Sequence, residues 1–401
     1  MNQNTQRAGW QSAQPASSAP HGHSHFSGLA RFWGRISDGM KLNELWTQLH
    51  TDARSTYRLY SREIETTTAT DAKGRKRVFP IAKKFFWAVL EKLTPARRVV
   101  LLLALALLLF PEVASFDNNS EQKAFLIESH LAGGLLMFGL LVLELTDRVI
   151  MKRDLQIAKE IQSWLLPAQP PQIPGLQIAF ATQPANTVAG DYYDVFPRSC
   201  GETAIPNGSG ENFLIAVADV AGKSIPAAML MSTVQASLRT LCTIPGPIDE
   251  LVARMNRYVC TTSQQGRRFT TAFIAEYDPA SRCLAYVNAG HNPPLLRRRS
   301  GAFEELKAGG LPLGVMEAAV YEKGSVVLEP GDLLAAFTDG VVEAQNEAGE
   351  EYGEPRLRQM LQAYAASPPD IILRSLLFDI QAFAGSAPQH DDVTLLLLKA
   401  V

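Results

Sequence analysis

Four short acidic segments each lie where an apolar run of the chain gives way to polar residues. They are GDYYD at 190–194, ADVAGKS at 218–224, TDG at 338–340 and HDDVT at 390–394. A carboxylate at the rim of a hydrophobic core is costly unless it is partnered, and a single Asp in such a place is usually a turn cap. Four acids at the ends of strands can converge in space. The sequence therefore predicts one cluster, formed by Asp191, Asp219, Asp339 and Asp391.

Converging carboxylates repel one another unless a cation neutralises them. Oxygen ligands without His or Cys partners favour hard ions such as Mg²⁺ or Mn²⁺. Two such ions can lower the pKa of a bridging water and stabilise phosphoryl oxygens during in-line attack. Gly190, Gly222 and Gly340 adjoin the acids and let the backbone approach an ion or a phosphate closely. This pattern predicts the hydrolysis of a phosphate ester.

The spacing of the residues argues against a nucleotide-binding loop and a zinc site. AGKS at 221–224 follows a strand and precedes a helix, but the GxxxxGK[ST] motif requires Gly at 217, where this chain has Val217. The four cysteines are widely separated and form no CxxC pair, which indicates neither zinc nor a disulfide framework. A nucleotide-dependent phosphotransferase therefore ranks last among the functions considered.

From Gly175 onward, short β-like runs alternate with two helical blocks. The helical blocks lie around 226–264 and 355–385, and connections at 278–281 and 330–331 are short enough for β-hairpins. Short connections favour antiparallel pairing, with the helices on the outer faces of the sheets. This layout predicts an α+β sandwich of largely antiparallel sheets.

The first 98 residues carry no recognisable site. Residues 1–30 are expected to form a disordered tail and do not have the pattern of a signal peptide. The alternating His21, His23 and His25 in that tail receive no function, because a solvated low-complexity tract explains them. Residues 31–98 are expected to form a helical and basic cytoplasmic segment. The formal net charge of −2 gives no signature of polyanion binding, so nucleic acid is not an expected partner.

Two apolar runs predict a helical membrane hairpin over residues 99–146. They are VVLLLALALLLF at 99–110 and LAGGLLMFGLLVL at 131–143, joined by a polar connector. Basic residues lie outside both runs, so the positive-inside rule places both termini in the cytoplasm and the chain in the inner membrane. Each uncharged core is shorter than the ~20 residues that cross the hydrocarbon layer. The alternative is a buried hairpin of a soluble protein.

A continuous helix is predicted over residues 147–166, because that segment contains neither Gly nor Pro. Four prolines between positions 167 and 174 then end the helix. Residues 147–168 are interpreted as a signalling linker helix, and residues 169–401 as the catalytic domain. An apolar seam on the helix could pair with a second copy of the chain as a short coiled coil. The members of this seam are Ile150, Leu155, Ile157, Ile161 and Leu165.

A series of ordered segments across residues 150–401 gives a more specific interpretation. They are AKEIQSWLLP, VAGDYYDVF, VADVAGKSIPAAMLM, NAGHNPPLL, GLPLGV, LEPGDLLAAFTDGVVEAQN and HDDVTLLLL. In these segments the chain resembles the bacterial SpoIIE-like branch of the metal-dependent (PPM) protein phosphatases, which are relatives of protein phosphatase 2C. The resemblance implies a four-layer αββα sandwich, and it implies removal of phosphate from a phosphoserine or phosphothreonine protein.

The resemblance also implies a metal site. A metal-bound water would be the nucleophile, without a covalent intermediate. Two divalent cations, Mn²⁺ or Mg²⁺, would be held by Asp191, Asp219, the backbone carbonyl of Val220, Asp339 and Asp391.

A second tier of residues adjoins those ligands. Asp194 and Asp392 would either hydrogen-bond waters on the metals or cap their own loops, and Gly190 and Gly222 would shape the backbone around the ions. The polar segment NAGHNPP at 288–294 also matches the family. Its polar members are interpreted as a structural turn between strands, and they are Asn288, His291 and Asn292.

Two positions depart from the family pattern, which usually has glycine where this chain has Ala189 and Ser224. Both residues are small and none of the four metal acids is missing, so turnover is expected. Members of this branch commonly dephosphorylate an anti-sigma-factor antagonist, which is therefore the expected partner. The linker helix would couple a signal to the catalytic domain. The alternative is a membrane-anchored scaffold that binds its phosphorylated partner with negligible turnover.

Overall fold

The computed structural model describes residues 86–87, 90–109, 120–198, 212–222, 224–262 and 268–401. The side chains of residues 120–128 and of Thr262 are not among those described. The tail predicted at 1–30 and most of the basic segment predicted at 31–98 lie outside this part of the chain. The chain divides into two compact units, Met1–Val142 and Leu143–Val401.

In the first unit, helix α1 (Pro95–Leu109) packs against the first part of helix α2 (Ser120–Leu165). A Cβ atom added to Gly133 would lie 2.9 Å from the Cγ atom of Leu108 and 3.1 Å from the carbonyl oxygen of Ala104. Glycine at position 133 therefore permits the close approach of the two helices. Helix α2 continues into the second unit, so the predicted linker helix is the last part of a helix of 46 residues.

The membrane hairpin predicted at 99–146 is not supported by these helices. Helix α1 has 15 residues, which at 1.5 Å per residue gives about 22 Å, against about 30 Å of hydrocarbon. Among the residues that the structure describes, no helix combines the length and the apolar character needed to cross a membrane.

Two β-sheets face each other in the described part of the second unit. The first sheet has, in spatial order, β1 (Leu176–Gln183), β11 (Val393–Ala400), β10 (Leu333–Phe337), β6 (Leu295–Arg297) and β7 (Phe303–Glu305). The second has β2 (Tyr192–Pro197), β3 (Phe213–Val220), β4 (Thr270–Asp278), β5 (Cys283–Ala289) and β8 (Gly309–Gly310), with β9 (Gly324–Val327) also paired to β5. Among these pairs, only β5 with β8 is parallel, which confirms the prediction of largely antiparallel sheets.

Helices cover the outer face of each sheet. Helices α3 (Ile225–Leu241) and α4 (Ile248–Thr262) pack on the second sheet, and α6 (Gly353–Ala363) and α7 (Pro369–Ala384) pack on the first. Strand β3 is apolar on both faces because it lies between two layers. Its Leu214 packs toward the helices, whereas its Ile215 packs in the core between the sheets. The predicted four-layer αββα sandwich is confirmed.

One of the two predicted hairpins is correct and the other is wrong. Strands β4 and β5 pair antiparallel across the turn at 278–281. The short connection at 330–331 instead carries the chain from β9 in the second sheet to β10 in the first. Gly331 makes this change of sheet with a φ of 96°, and its amide donates to the carbonyl of Ala400 on β11.

Candidate active site

The four predicted acids are placed by strands of both sheets. Asp191 directly precedes β2, and Asp219 is the penultimate residue of β3 in the same sheet. Asp339 follows β10 at the start of the short helix α5 (Asp339–Val342), and Asp391 lies just before β11. Three of the acids line one cavity of about 260 Å³. The cavity is bordered by Asp219, Val220, Ala221, Gly222, Phe269, Thr271, Gly290, His291, Asn292, Asp339 and Asp391.

Asp191 does not line this cavity and is buried, with only 2% of its surface exposed. The hydroxyl of Thr338 donates to its Oδ2 atom at 2.8 Å. Burial, and next the charge of Asp219, hold the pKa of Asp191 well above its usual range. Thr338 is therefore a partner of the cluster, contributed by the residue just before Asp339.

Asp219 shows most clearly how the carboxylates act on one another. Its burial, followed by the negative charges of Asp339 and Asp391, raises its pKa to about 7. A hydrogen bond to the Asp191 carboxyl offsets part of this rise. The four acids thus converge as predicted, and their mutual repulsion is of the kind that a bound cation would relieve.

The residues at the cavity fit a hard divalent cation, because three carboxylates and the end of β3 line it together. Within the described residues, however, no three acidic, His or Cys side chains are grouped closely enough to hold an ion together. The structure therefore brings the acids to one place, while their assignment as metal ligands stays a prediction.

The raised pKa of Asp219 predicts how the stability of the metal-free chain depends on pH. Between the usual carboxyl pKa of 3.8 and about 7, the folded chain holds a proton that the unfolded chain has released. Its free energy of unfolding should therefore fall as the pH rises through this range. In EDTA, thermal melting should occur at a lower temperature at pH 7.5 than at pH 5.5.

The matched control for this pH prediction is Asp219→Asn, which removes the titrating group. The difference in melting temperature between the two pH values should be smaller in that variant than in the unaltered chain. An equal difference in both proteins would contradict the assignment of the effect to Asp219.

Glycines at two positions allow the loops that carry the acids to meet. A Cβ atom on Gly340 would lie only 2.1 Å from the carbonyl oxygen of Asp392, so the segments with Asp339 and Asp391 touch through backbone. A Cβ atom on Gly190 would lie 3.3 Å from the carbonyl oxygen of Val220. Any side chain at position 340 would therefore collide with the backbone of Asp392, so glycine is required there. Gly190 lets the chain pass close to the end of β3.

Asp392 holds the loop before Asp191 in place. Its Oδ1 atom accepts the amide hydrogen of Ala185 at 2.7 Å, and its Oδ2 atom accepts that of Gly190 at 2.6 Å. The side chain is 7% exposed. Of the two roles predicted for Asp392, the structure shows a capping role, but the loop that it caps is the one at 185–190 and not its own.

Asp194 is fully buried and does not line the cavity. Its two oxygens accept both hydrogen bonds of the Arg239 guanidinium at 2.8 Å, and Oδ2 also accepts the hydroxyl hydrogen of Tyr192 at 2.8 Å. Arg239 in turn stacks on the ring of Phe196. Asp194 therefore ties β2 to helix α3, and both of its oxygens are engaged away from the cavity.

The segment NAGHNPP lines part of the cavity through Gly290, His291 and Asn292, of which His291 is buried. Asn288 accepts the amide hydrogen of His291 at 2.7 Å and donates to the carbonyl of Leu306, which is the structural role predicted for it. Burial lowers the pKa of His291 to about 4, so its ring is neutral near pH 7. Its Nδ1 atom lies 3.0 Å from the hydroxyl of Thr271.

Sequence reasoning missed two residues that hold the acid cluster, Thr338 and Gln162. Thr338 stands beside Asp339 in the TDG segment, so its position was a usable signal. Gln162 lies in the linker helix and forms two hydrogen bonds with the backbone of Ala189. Nothing in its local sequence indicates a partner 27 positions away.

The fold is that of the phosphatase 2C-like proteins. The SiaA-PP2C domain of Pseudomonas aeruginosa has a similar fold, with a TM-score of 0.54 and 22% sequence identity. The alignment covers 64% of this chain and 99% of that domain.

Sequence comparisons give the family. Residues 209–401 match the model of stage II sporulation protein E (SpoIIE). The chain is 30% identical to phosphoserine phosphatase RsbU of Bacillus subtilis (strain 168), over 62% of this chain and 70% of RsbU. It is 29% identical to Protein IcfG of Synechocystis sp. (strain ATCC 27184 / PCC 6803 / Kazusa), over 62% of this chain and 41% of IcfG. The chain belongs to the SpoIIE-like family of PPM serine/threonine protein phosphatases, and the predicted resemblance is confirmed.

Proposed function

We propose that this chain hydrolyses phosphoserine or phosphothreonine in a partner protein with two divalent cations, Mn²⁺ or Mg²⁺. The ions would be held by Asp191, Asp219, the backbone carbonyl of Val220, Asp339 and Asp391. The observation that carries this proposal is the convergence of the acids. Burial, followed by the charges of Asp339 and Asp391, raises the pKa of Asp219 to about 7. When bound, such cations activate water and neutralise phosphoryl oxygens.

The residues around the acids have separate tasks in this proposal. Thr338 fixes the orientation of the Asp191 carboxylate through a hydrogen bond. Asp392 and Gly190 hold the backbone that leads into Asp191. His291 forms an uncharged part of the cavity wall, so it adds no repulsion to cations at the acid cluster. The cavity of about 260 Å³ gives a phosphoryl group access to the acids.

The first test of the proposed function uses p-nitrophenyl phosphate, which requires no knowledge of the partner protein. The full chain should release p-nitrophenol with Mn²⁺ and should stop when EDTA is in excess. A folded chain that binds Mn²⁺ but shows no turnover with this compound or with a phosphoserine peptide would instead favour the scaffold alternative.

The phosphoprotein partner and the cellular location of this chain are also proposed, each from a single supporting argument. The name of RsbU describes a phosphoserine phosphatase, which supports phosphoserine as the substrate of this chain. An anti-sigma-factor antagonist as the phosphoprotein rests on the family resemblance. A cytoplasmic catalytic unit attached to the inner membrane through residues 99–146 rests on the basic residues that flank the apolar runs.

The exposed face of α2 supports a homodimer through residues 147–166. Leu155 and Leu165 of the predicted seam are half-buried, so they belong to a different face of the helix from the exposed members. A stripe of large apolar side chains, 45–78% exposed, lies on another face of the helix. It consists of Ile150, Ile157, Ile161 and Trp164, whose spacings of seven, four and three residues suit pairing with a second helix.

Replacing both Ile157 and Ile161 with Asp is expected to convert a dimer into a monomer, because two charges would enter the apolar stripe. Light scattering coupled to size-exclusion chromatography of the full chain measures the mass. The control is Lys159→Asp, which changes the charge at another exposed position of the same helix. An unaltered chain that is monomeric at all concentrations tested would contradict the proposed dimer.

A further inference from the structure

The cavity beside the acid cluster is lined by three described side chains that can donate a hydrogen bond. They belong to Thr271, His291 and Asn292. The acids that line the same cavity can only accept hydrogen bonds when they are ionised. A phosphoryl group is an anion, and donors that are fixed in advance stabilise its oxygens. These three side chains are therefore the candidates for contact with a phosphoryl group in the cavity.

Thr271 lies directly opposite one of the acids. In the antiparallel pair of β3 and β4, Asp219 and Thr271 are partners in register. Side chains at such positions share one face of the sheet, with Cβ atoms about 4.5–5.5 Å apart. The Thr271 hydroxyl lies 3.0 Å from the Nδ1 atom of His291, and it makes only a long hydrogen bond, of 3.5 Å, to the backbone carbonyl of Asp219. A ligand bound at Asp219 is therefore within reach of this hydroxyl.

Asn292 has a fixed backbone and a side chain without a partner. Its half-buried amide group makes no hydrogen bond with another described residue. Two positions earlier, Gly290 has a φ of 68°, and a Cβ atom there would lie 2.5 Å from the Cγ atom of Pro312. The next residue is Pro293, whose ring restricts the backbone further. The Asn292 amide is thus held at the cavity and is available to a ligand.

The other asparagine of the same segment shows the contrast. Asn288 is buried, and its side chain accepts the amide hydrogen of His291 and donates to the carbonyl of Leu306. Its hydrogen bonds account for an asparagine at that position. The fold gives no such account of Asn292, because the polar groups of its side chain are not used within the described residues.

We propose that Thr271 and Asn292 contact the phosphoryl group of the substrate, each through a hydrogen bond to one of its oxygens. His291 is a positioning residue in this arrangement, because its Nδ1 atom holds the Thr271 hydroxyl. The inference rests on the proposed function, since it places the phosphoryl group at the same acids. It adds two residues that contact the substrate and are not metal ligands.

Asn292→Asp tests the contact with an anion, because Asp has nearly the same shape but carries a negative charge. That charge should repel a phosphoryl group but not a cation. The matched control is Asn346→Asp, in a turn that does not line the cavity. The Oδ1 atom of Asn346 accepts the amide hydrogens of Ala348 and Glu350, and Asp can accept both as well.

Two affinities are measured on each full-length variant after it has been stripped with EDTA. The affinity for Mn²⁺ is obtained from free Mn²⁺ by electron paramagnetic resonance. The affinity for radiolabelled inorganic phosphate is obtained by equilibrium dialysis at saturating Mn²⁺. Neither measurement requires turnover.

We expect Asn292→Asp to weaken phosphate binding by about tenfold or more, because losing a hydrogen bond to a charged group has an effect of that size. The same variant should bind Mn²⁺ at least as tightly as the unaltered chain, and Asn346→Asp should match the unaltered chain in both affinities. Phosphate affinity of Asn292→Asp within twofold of the unaltered chain would overturn the role of Asn292. Equal weakening of Mn²⁺ and phosphate binding would also overturn it, because general damage to the site would explain both.

Thr271→Val removes the hydroxyl and keeps a branched side chain that suits strand β4. It should weaken phosphate binding by about tenfold and leave Mn²⁺ affinity within twofold. Thr271→Ser, which keeps the hydroxyl, should bind phosphate like the unaltered chain. Equal phosphate affinity in the Val variant and the unaltered chain would overturn the role of Thr271. If either test variant does not melt cooperatively, Ala at the same position replaces it under the same twofold limit.

Failure of the proposed function would look different from failure of this inference. An unaltered chain that binds Mn²⁺ and phosphate but hydrolyses neither p-nitrophenyl phosphate nor a phosphoserine peptide would refute the phosphatase activity. The phosphate affinities of the variants would still decide the roles of Thr271 and Asn292. An unaltered chain that binds Mn²⁺ but no phosphate would overturn this inference alone, and one that binds no Mn²⁺ would overturn both.

Discussion

Replacing Asp339 or Asp391 with Asn is expected to lower Mn²⁺-dependent hydrolysis of p-nitrophenyl phosphate by roughly a hundredfold or more. Loss of even an outer partner of a metal ligand costs about 10–100-fold, and these two acids lie on the cavity itself. Asn keeps the size of the side chain but removes the charge that a divalent cation requires. Initial rates at several Mn²⁺ concentrations measure the effect.

The Asn variants should remain folded. Each substitution removes one of several negative charges that raise the pKa of Asp219, so the metal-free protein should melt at the same or a higher temperature. Asp370→Asn, at an exposed position in the first turn of α7, is the control and should keep its activity. Half or more of the unaltered activity in both Asp339→Asn and Asp391→Asn would contradict the assignment of these acids.

The second large effect is expected from Asp392→Ala, and it should appear in stability as well as activity. The substitution leaves the amides of Ala185 and Gly190 without their acceptor. A buried donor that loses its partner costs about 1–3 kcal/mol. With two such donors, the free energy of unfolding should therefore fall by about 2–6 kcal/mol, as measured by urea denaturation in EDTA. Activity should fall too, because the backbone before Asp191 is released.

Asp392→Asn separates hydrogen bonding from charge in this test. The amide oxygen of Asn can accept one of the two backbone hydrogens, but its NH₂ group meets the other donor. This variant should therefore lie between Asp392→Ala and the unaltered chain in stability. An Asp392→Ala variant with unchanged stability and turnover would show that the two hydrogen bonds do not hold the loop.

The acids could be predicted from the sequence because each one interrupts or follows a strongly apolar run. FLIAVAD predicts strand β3 and the acid at its end, and the structure places Asp219 there. Convergence followed from the chemistry, since four isolated acids at the rim of a core would each be costly. The order of the four layers, helices, sheet, sheet and helices, was implied by the family resemblance. The structure confirms it, because the buried residues form three separate cores, one between each pair of adjacent layers.

What could not be predicted depends on contacts between distant parts of the chain. The sequence near Asp194 shows that it shares a strand face with Tyr192, but not that Arg239 from helix α3 pairs with it. The turn at 330–331 looks like a hairpin, because local residues specify a short connection and not the sheet that each strand joins. The sequence gives no indication of the role of Gln162, because its partner is the backbone of Ala189, which any residue type would provide.

The apolar runs at 99–110 and 131–143 show a related limit of sequence reasoning. The apolar composition of both runs indicated a lipid environment. Their uncharged cores, however, are shorter than the ~20 residues needed to cross the hydrocarbon layer. The structure resolves part of the conflict, since the second run and the predicted linker belong to one helix, Ser120–Leu165. Glycine at 133 serves close packing against α1, which is a role that hydropathy does not reveal.

Phosphate release from a phosphoserine peptide is the most direct test of the central claim that the acid cluster uses cations to hydrolyse phosphoserine. The full chain is stripped with EDTA, and inorganic phosphate is measured as Mn²⁺ is added, beside the Asp339→Asn variant at each concentration. We predict no release before Mn²⁺ is added, saturable release afterwards, and little or none from the variant. Release that persists in excess EDTA, or that is equal in the variant, would contradict the account.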